Sequence, residues 1–137
     1  MSDHEIYPMP LFVQLEVADI EASVGWYREL RFDVIYEMPT MAHVRREQYA
    51  DIMLVAGRDV DDIHPKGVGV RTYLTVESDS FDTLATRASE RAGVTIEPQT
   101  TAWNTREVRA TDPDGYELVF SAVVDAERSF ADVMGSE

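Results

Sequence analysis

The chain has 137 residues, a length that favours one compact domain, and its lack of cysteine excludes disulfides, thiolate zinc sites and cysteine nucleophiles. Its 26 acidic and 12 basic residues give a formal net charge of -14, which argues against nucleic-acid and anionic-membrane partners. No apolar run reaches membrane-spanning length and the first residues do not resemble a secretion signal, so we expect a cytoplasmic protein.

The first half of the chain reads as β-α-β-β-β. Alternating residues from Phe12 to Val17 predict a half-buried strand, and Asp19 is placed to cap a helix over IEASVGWYREL. Three further strands are predicted in the segments FDVIYEM, MAHVRRE and YADIMLVAG.

The second half repeats this order after the polar segment RDVDDIHPKG. VRTYLTV predicts a strand, and SFDTLATRASERAG predicts a helix with one apolar stripe, formed by Phe81, Leu84, Ala85 and Ala88. VTIEP, REVRAT and YELVFSA predict three more strands.

The repeated order predicts a single α+β domain, residues 1–137, built from two βαβββ modules. We place the first module at about 10–57 and the second at about 68–122. A linker over 58–67 separates them, and a C-terminal tail covers 123–137.

The segment TDPDGYELVF predicts a hairpin whose register follows from its turn. Pro113 suits the first central position of a type I turn and Gly115 the left-handed position after it, which gives a three-residue loop. This register sets Arg109 against Val119, so that apolar pairs share one face of the sheet and polar pairs the other. We expect the polar face to point into a cavity.

The same alternation assigns side chains of both sheets to that cavity. They combine aromatic and thioether surface with a few charges, as small-molecule sites usually do. The predicted ligand-binding residues are Phe12, Gln14, Glu16, Met53, Arg71, Tyr73, Glu107, Arg109, Glu117 and Val119.

Several charged residues in this region have two possible roles. Arg71 can hold a carboxylate or phosphate with its planar guanidinium, or form an internal ion pair with Glu16 or Glu117. Glu107 or Glu117 can act as a general base if desolvated, although solvated or Arg-paired carboxylates are commoner. No catalytic residue is therefore assigned.

His43 is predicted to lie on the strand next to that of Asp51. Together they can in principle form a displaced metal site, although a surface or hydrogen-bonded histidine is the commoner role.

Three motifs together resemble the vicinal oxygen chelate superfamily, which comprises glyoxalases, bleomycin resistance proteins and extradiol dioxygenases. They are the strand-Asp-helix entry VADIEASVGWYREL, the closing hairpin DPDGYELVF, and AWNTREVRATDPDG, which is similar to a Trp and Arg-Glu segment of bleomycin resistance proteins. The resemblance covers about residues 8–122. The sequence departs from the family pattern at YRELRF. This segment is one residue shorter than the usual exit of the first helix and carries Arg31 where Gly is common, so we expect a different loop there.

The resemblance implies curved mixed sheets around a ligand pocket, usually in a homodimer. It also implies that Trp103 helps to cover the ligand, with local packing as the alternative role. The positions that hold the metal in metal-dependent members correspond here to Phe12, about Met53, Arg71 and Val119. None is a plausible ligand for Zn, Fe or Mn, so we expect neither a metal nor a cofactor at that site.

We therefore expect metal-independent binding of a small molecule, an antibiotic or a metabolite, in a dimer cleft. Two alternatives stay open. One is a metal-dependent lyase, isomerase or dioxygenase of the same superfamily, which needs ligands at other positions. The other is a non-catalytic interaction module.

Overall fold

The fold is described here from a computed structural model that covers residues 8–57, 67–91, 94–125 and 127. The chain divides into two compact units, Met1–His64 and Pro65–Glu137, each with a four-stranded mixed sheet and one helix. The predicted α+β class with two βαβββ modules is confirmed. The predicted module boundaries stay predictions, because most of the linker and of the C-terminal tail lies outside the described residues.

The first unit consists of a strand, a helix and three strands. Its sheet has the order β1-β4-β3-β2, in which β1 runs parallel to β4 and the other neighbours are antiparallel. The elements are β1 Val13–Val17, α1 Ile20–Glu29, β2 Asp33–Met38, β3 Met41–Arg45 and β4 Asp51–Ala56.

Helix α1 begins and ends through specific backbone contacts. Asp19 caps it as predicted, since the backbone N–H of Ala22 donates to Asp19 Oδ1 at 3.1 Å. At the other end the backbone N–H of Phe32 donates to the Tyr27 carbonyl at 3.1 Å, and Arg31 adopts a φ of 71°. Arg31 thus takes the left-handed conformation that glycine favours, so the substitution noted in the sequence is accommodated at this position.

Strand β2 contains a bulge that the sequence did not reveal. Val34 pairs with Val44, but the next pair along the ladder joins Tyr36 to His43, which leaves Ile35 as the extra residue. The bulge keeps Tyr36 on the same face as His43. The opposite face packs the apolar core of this unit, which includes Leu15, Val17, Ile20, Val24, Tyr27, Ala42, Val44, Ile52 and Leu54.

The second unit repeats the same order of elements. Its sheet has the order β5-β8-β7-β6, with β5 parallel to β8. The elements are β5 Arg71–Thr75, α2 Ser78–Arg91, β6 Val94–Thr100, β7 Thr105–Thr111 and β8 Glu117–Val123. The predicted stripe of α2 is buried, together with Leu74, Val108, Ala110, Leu118 and Phe120 of the sheet. No helix in the described parts of the chain is long and apolar enough to cross a membrane.

The turn between β7 and β8 has the predicted three-residue loop. Gly115 has a φ of 100°, and its N–H donates to the Asp112 carbonyl at 3.0 Å. Asp112 Oδ1 accepts the backbone N–H groups of Asp114 and Tyr116, both at 2.9 Å. The register is the predicted one, with Arg109 opposite Val119.

Two glycine substitutions are expected to change stability in opposite directions. Gly115→Ala lowers the free energy of unfolding by about 1–2 kcal/mol, because a β-carbon is disfavoured in the left-handed region. Gly25→Ala raises it by about 0.5–1 kcal/mol, because Gly25 lies inside α1 with no atom near an added Cβ. Urea denaturation of both variants measures these changes, and a Gly115→Ala variant as stable as the parent contradicts the role of the turn.

Candidate functional site

The second sheet brings six of the predicted ligand-binding residues to one face. In the register, Arg71 lies opposite Glu117, and Val119 lies between Tyr73 on β5 and Arg109 on β7. The side chain of Tyr73 is exposed, whereas Val119 is only 2% exposed. Glu107 is on the same face, opposite Ser121.

Arg71 forms an ion pair with Glu117, one of the alternatives that the sequence left open. Arg71 Nε lies 2.7 Å from Glu117 Oε1, and the two side chains are 49% and 33% exposed. They line a cleft of about 380 Å³, a volume within the usual range of small-molecule sites. The rest of its lining comes from residues 67–70, which precede β5, and from Gly115.

Glu107 is the centre of a hydrogen-bond network at the other end of the face. Its Oε2 atom accepts from Trp103 Nε1 at 3.1 Å, from Thr105 Oγ1 at 2.9 Å and from Ser121 Oγ at 3.3 Å. Three donors on one oxygen suit an ionised carboxylate. The network fixes the orientation of the indole ring of Trp103, which is 55% exposed.

The turn that carries Trp103 is itself held by hydrogen bonds. Thr101 and Thr105 are joined by their hydroxyl groups at 2.7 Å, and the backbone N–H of Trp103 donates to Thr101 Oγ1 at 3.3 Å. Asn104 has a φ of 73° and binds the segment after β8, since its Nδ2 donates to the Asp125 carbonyl and its Oδ1 accepts the Asp125 N–H. The backbone that carries the exposed Trp103 ring is therefore held in one conformation.

The first sheet carries the remaining predicted residues. Gln14 lies opposite Met53 in the parallel pair of β1 and β4, and Glu16 follows two residues later on the same face. Phe12 precedes β1 and is exposed.

A buried charged cluster lies on this face of the first sheet. Asp51 Oδ1 is 2.7 Å from His43 Nε2 and 2.6 Å from Arg45 Nε, and the Asp51 side chain is fully buried. His43 is thus hydrogen-bonded, the commoner of its two roles. Among the described residues, no group of three or more His, Cys, Asp or Glu side chains is arranged to hold a metal ion.

The guanidinium of Arg46, the residue after Arg45, has a perturbed pKa. Burial lowers the pKa of Arg46 from its ordinary value; Glu47 and Asp33 oppose that change, and Arg31 adds to it. Arg46 nevertheless remains cationic at neutral pH, because guanidinium groups do not deprotonate in proteins.

Three residues of these networks were missed from the sequence. Thr105 and Ser121 hold Glu107, and Tyr36 packs edge-to-face on His43 with ring centroids 5.7 Å apart. The hairpin register placed Ser121 opposite Glu107, so alternation could have found it. Tyr36 gave no such signal, because the bulge at Ile35 interrupts the alternation.

The family model for the Glyoxalase/Bleomycin resistance protein/Dioxygenase superfamily matches residues 11–120, most of the chain. The chain belongs to this superfamily. The match includes all the strands and both helices, apart from the last residues of β8. A comparison with curated protein sequences gave no significant match.

Solved structures of the superfamily share the fold. A glyoxalase/dioxygenase from Nostoc punctiforme is 18% identical, with a TM-score of 0.69 over 91% of this chain and 100% of that one. A bleomycin-binding protein in complex with bleomycin is 14% identical, with a TM-score of 0.59 over 82% and 96%. Lactoylglutathione lyase from Agrobacterium tumefaciens is also 14% identical, with a TM-score of 0.59 over 84% and 94%. At these identities the similarity shows a shared fold alone.

Removal of the buried Asp51 charge is expected to destabilise the first unit. Asp51→Asn removes the buried anion that Arg45 Nε contacts and lowers the free energy of unfolding by about 3–5 kcal/mol. The matched control is Asp82→Asn, which breaks the ion pair with Arg106 at a side chain that is 81% exposed. This control changes stability by about 0–1 kcal/mol. Equal losses in the two variants, measured by urea denaturation, contradict a structural role for the cluster.

Proposed function

We propose that this superfamily member binds an elongated small molecule, an antibiotic or a metabolite, on the polar face of the second sheet and without a metal ion. The observation that carries the proposal is the exposed indole of Trp103, fixed by its hydrogen bond to Glu107. A large aromatic ring held rigidly in solvent loses little entropy when a flat ligand stacks on it.

The spacing along β8 supports a ligand of some length. Arg71 lies opposite Glu117 and Glu107 lies opposite Ser121, so the two polar centres are four residues apart along the same strand. At about 3.3 Å per residue this distance is roughly 13 Å. A ligand with a flat group at one end and a polar group at the other matches the two centres.

The charges support a cationic ligand at the Trp103 end. Glu107 is an ionised acceptor beside the indole, and aromatic faces attract cations. The positive charge of Arg71, which would repel such a ligand, is offset by Glu117 at 2.7 Å. The net charge of -14 acts in the same direction at long range. The bleomycin-binding protein of the same fold supports bleomycin as the first ligand to test.

Metal independence belongs to the same proposal. The resemblance places the superfamily metal positions at Phe12, about Met53, Arg71 and Val119, and Arg71 is engaged with Glu117. Phe12, Gln14, Glu16 and Met53 of the first unit stay predicted ligand-binding residues.

Isothermal titration with metal-free bleomycin tests the function. We expect saturable binding, and Trp103→Ala weakens it by about 0.5–1.5 kcal/mol because the stacking surface is lost. Trp26→Phe is the control, since Trp26 lies on α1 and contacts Tyr27. It leaves the affinity unchanged.

The same titration separates metal independence from binding. Protein dialysed against a chelator binds bleomycin as tightly as untreated protein. Loss of binding after chelation contradicts metal independence alone, whereas no heat with either sample contradicts binding of bleomycin.

A homodimer and a cytoplasmic location complete the proposal. Val68 and Val70 are exposed apolar residues beside β5, an edge strand of the second sheet, and they line the cleft with Arg71. Apolar side chains beside an unpaired strand edge favour association.

Light scattering after gel filtration tests the dimer. We expect twice the mass of the 15.5 kDa chain, and a shift toward monomer for the double variant Val68→Ser and Val70→Ser. The exposed Val124, after β8, provides the control substitution Val124→Ser, which leaves the mass unchanged. A monomeric parent protein contradicts the dimer.

A further inference from the structure

Two methionine sulfur atoms lie near the same hydroxyl oxygen on the first sheet. The hydroxyl of Tyr36 lies 3.3 Å from Met41 Sδ and 3.9 Å from Met53 Sδ. Met41 is on β3 and Met53 on β4, and the Tyr36 ring reaches them from β2. Both thioethers are thus held against the same oxygen atom.

An imidazole lies beside these sulfurs. His43 is directly opposite Met53 in the antiparallel pair and is two residues after Met41, so the three side chains share one face. Directly opposite side chains on a sheet have Cβ atoms about 4.5–5.5 Å apart, which brings His43 within reach of Met53. The ring of His43 also packs against Tyr36.

Asp51 determines which nitrogen of His43 has a lone pair. Arg45 Nε donates to Asp51 Oδ1 at 2.6 Å, so this carboxylate is an ionised acceptor. His43 Nε2 lies 2.7 Å from the same oxygen, and in the tautomer that donates Nε2–H to this carboxylate the lone pair is on Nδ1. Histidines that bind metals commonly donate their other N–H to a carboxylate in this way.

We propose that Met41, Met53 and His43 form a binding site for a soft monovalent cation, Cu(I) or Ag(I). Thioether sulfur selects Cu(I) among biological metals, and imidazole is compatible with it. The hydroxyl of Tyr36 moves aside when the cation binds between the sulfurs. This site goes beyond the proposed ligand binding, because its ligands lie on β3 and β4 and only Met53 belongs to both sets.

Hydrophobic packing alone does not account for the whole arrangement. Methionine sulfurs pack well against aromatic rings, and that contact explains Met41 and Met53 beside Tyr36. It does not explain a buried His43–Asp51–Arg45 network beside them on the same face, since buried charges are costly and apolar residues of similar size stabilise a fold at least as well. A role in orienting His43 as a metal ligand accounts for the network.

Titration with Ag(I), which does not change oxidation state in air, tests the site. We expect one Ag(I) bound per chain with saturation, and shifts of the Met41 and Met53 methyl signals in NMR spectra of protein labelled at its six methionine methyl groups. Met41→Leu and Met53→Leu keep the side-chain volume but remove a ligand. Loss of a hydrogen-bond partner of a metal ligand already lowers affinity roughly tenfold, so we expect each variant to lower Ag(I) affinity by at least that factor.

Met9→Leu is the matched control, because Met9 precedes β1 and is not one of the proposed ligands. It leaves the affinity unchanged, and thermal melting verifies that all three variants fold. Unchanged affinity in both Met41→Leu and Met53→Leu overturns the proposal, as does an equal shift of the Met9 methyl signal. Competition with a Cu(I) chelator then gives the affinity for Cu(I) itself.

Discussion

The carboxylate of Asp112 sets the arrangement of the second sheet. By accepting the N–H groups of Asp114 and Tyr116, it closes the turn with Gly115 in the left-handed conformation. That closure fixes β7 against β8, and the parallel pairing of β8 with β5 carries the same register to Arg71. Every polar contact on the polar face of the second sheet depends on this register, because a slip of one residue would exchange the two faces of a strand.

Two ion pairs, one on each sheet, differ in solvent exposure and therefore in their contribution to stability. Asp51 is fully buried with Arg45, so its contact belongs to the framework of the first sheet. The pair of Arg71 and Glu117 is half open to solvent, where side-chain entropy and screening reduce its contribution to stability. An open pair can be rearranged by an incoming charged group at little cost, which suits the wall of a cleft.

Local patterns in the sequence predicted the elements well, and contacts between strands less well. The Asp19 cap and the hairpin at Gly115 follow from residues close in sequence, and both were predicted. The position of Tyr36 depends on a bulge, and the three donors to Glu107 come from different strands and a turn. Alternation specifies the face of a residue but does not show which neighbours on that face converge.

The bulge at Ile35 also affects how this hairpin tolerates changes in length. Two residues, Ile35 and Tyr36, occupy the space opposite His43, so the ladder already contains one residue more than regular pairing needs. Loss of Ile35 would straighten the strand and leave Tyr36 opposite His43. The first hairpin can therefore lose one residue while its aromatic contact keeps the same face, a freedom that the tightly closed turn at Asp112 lacks.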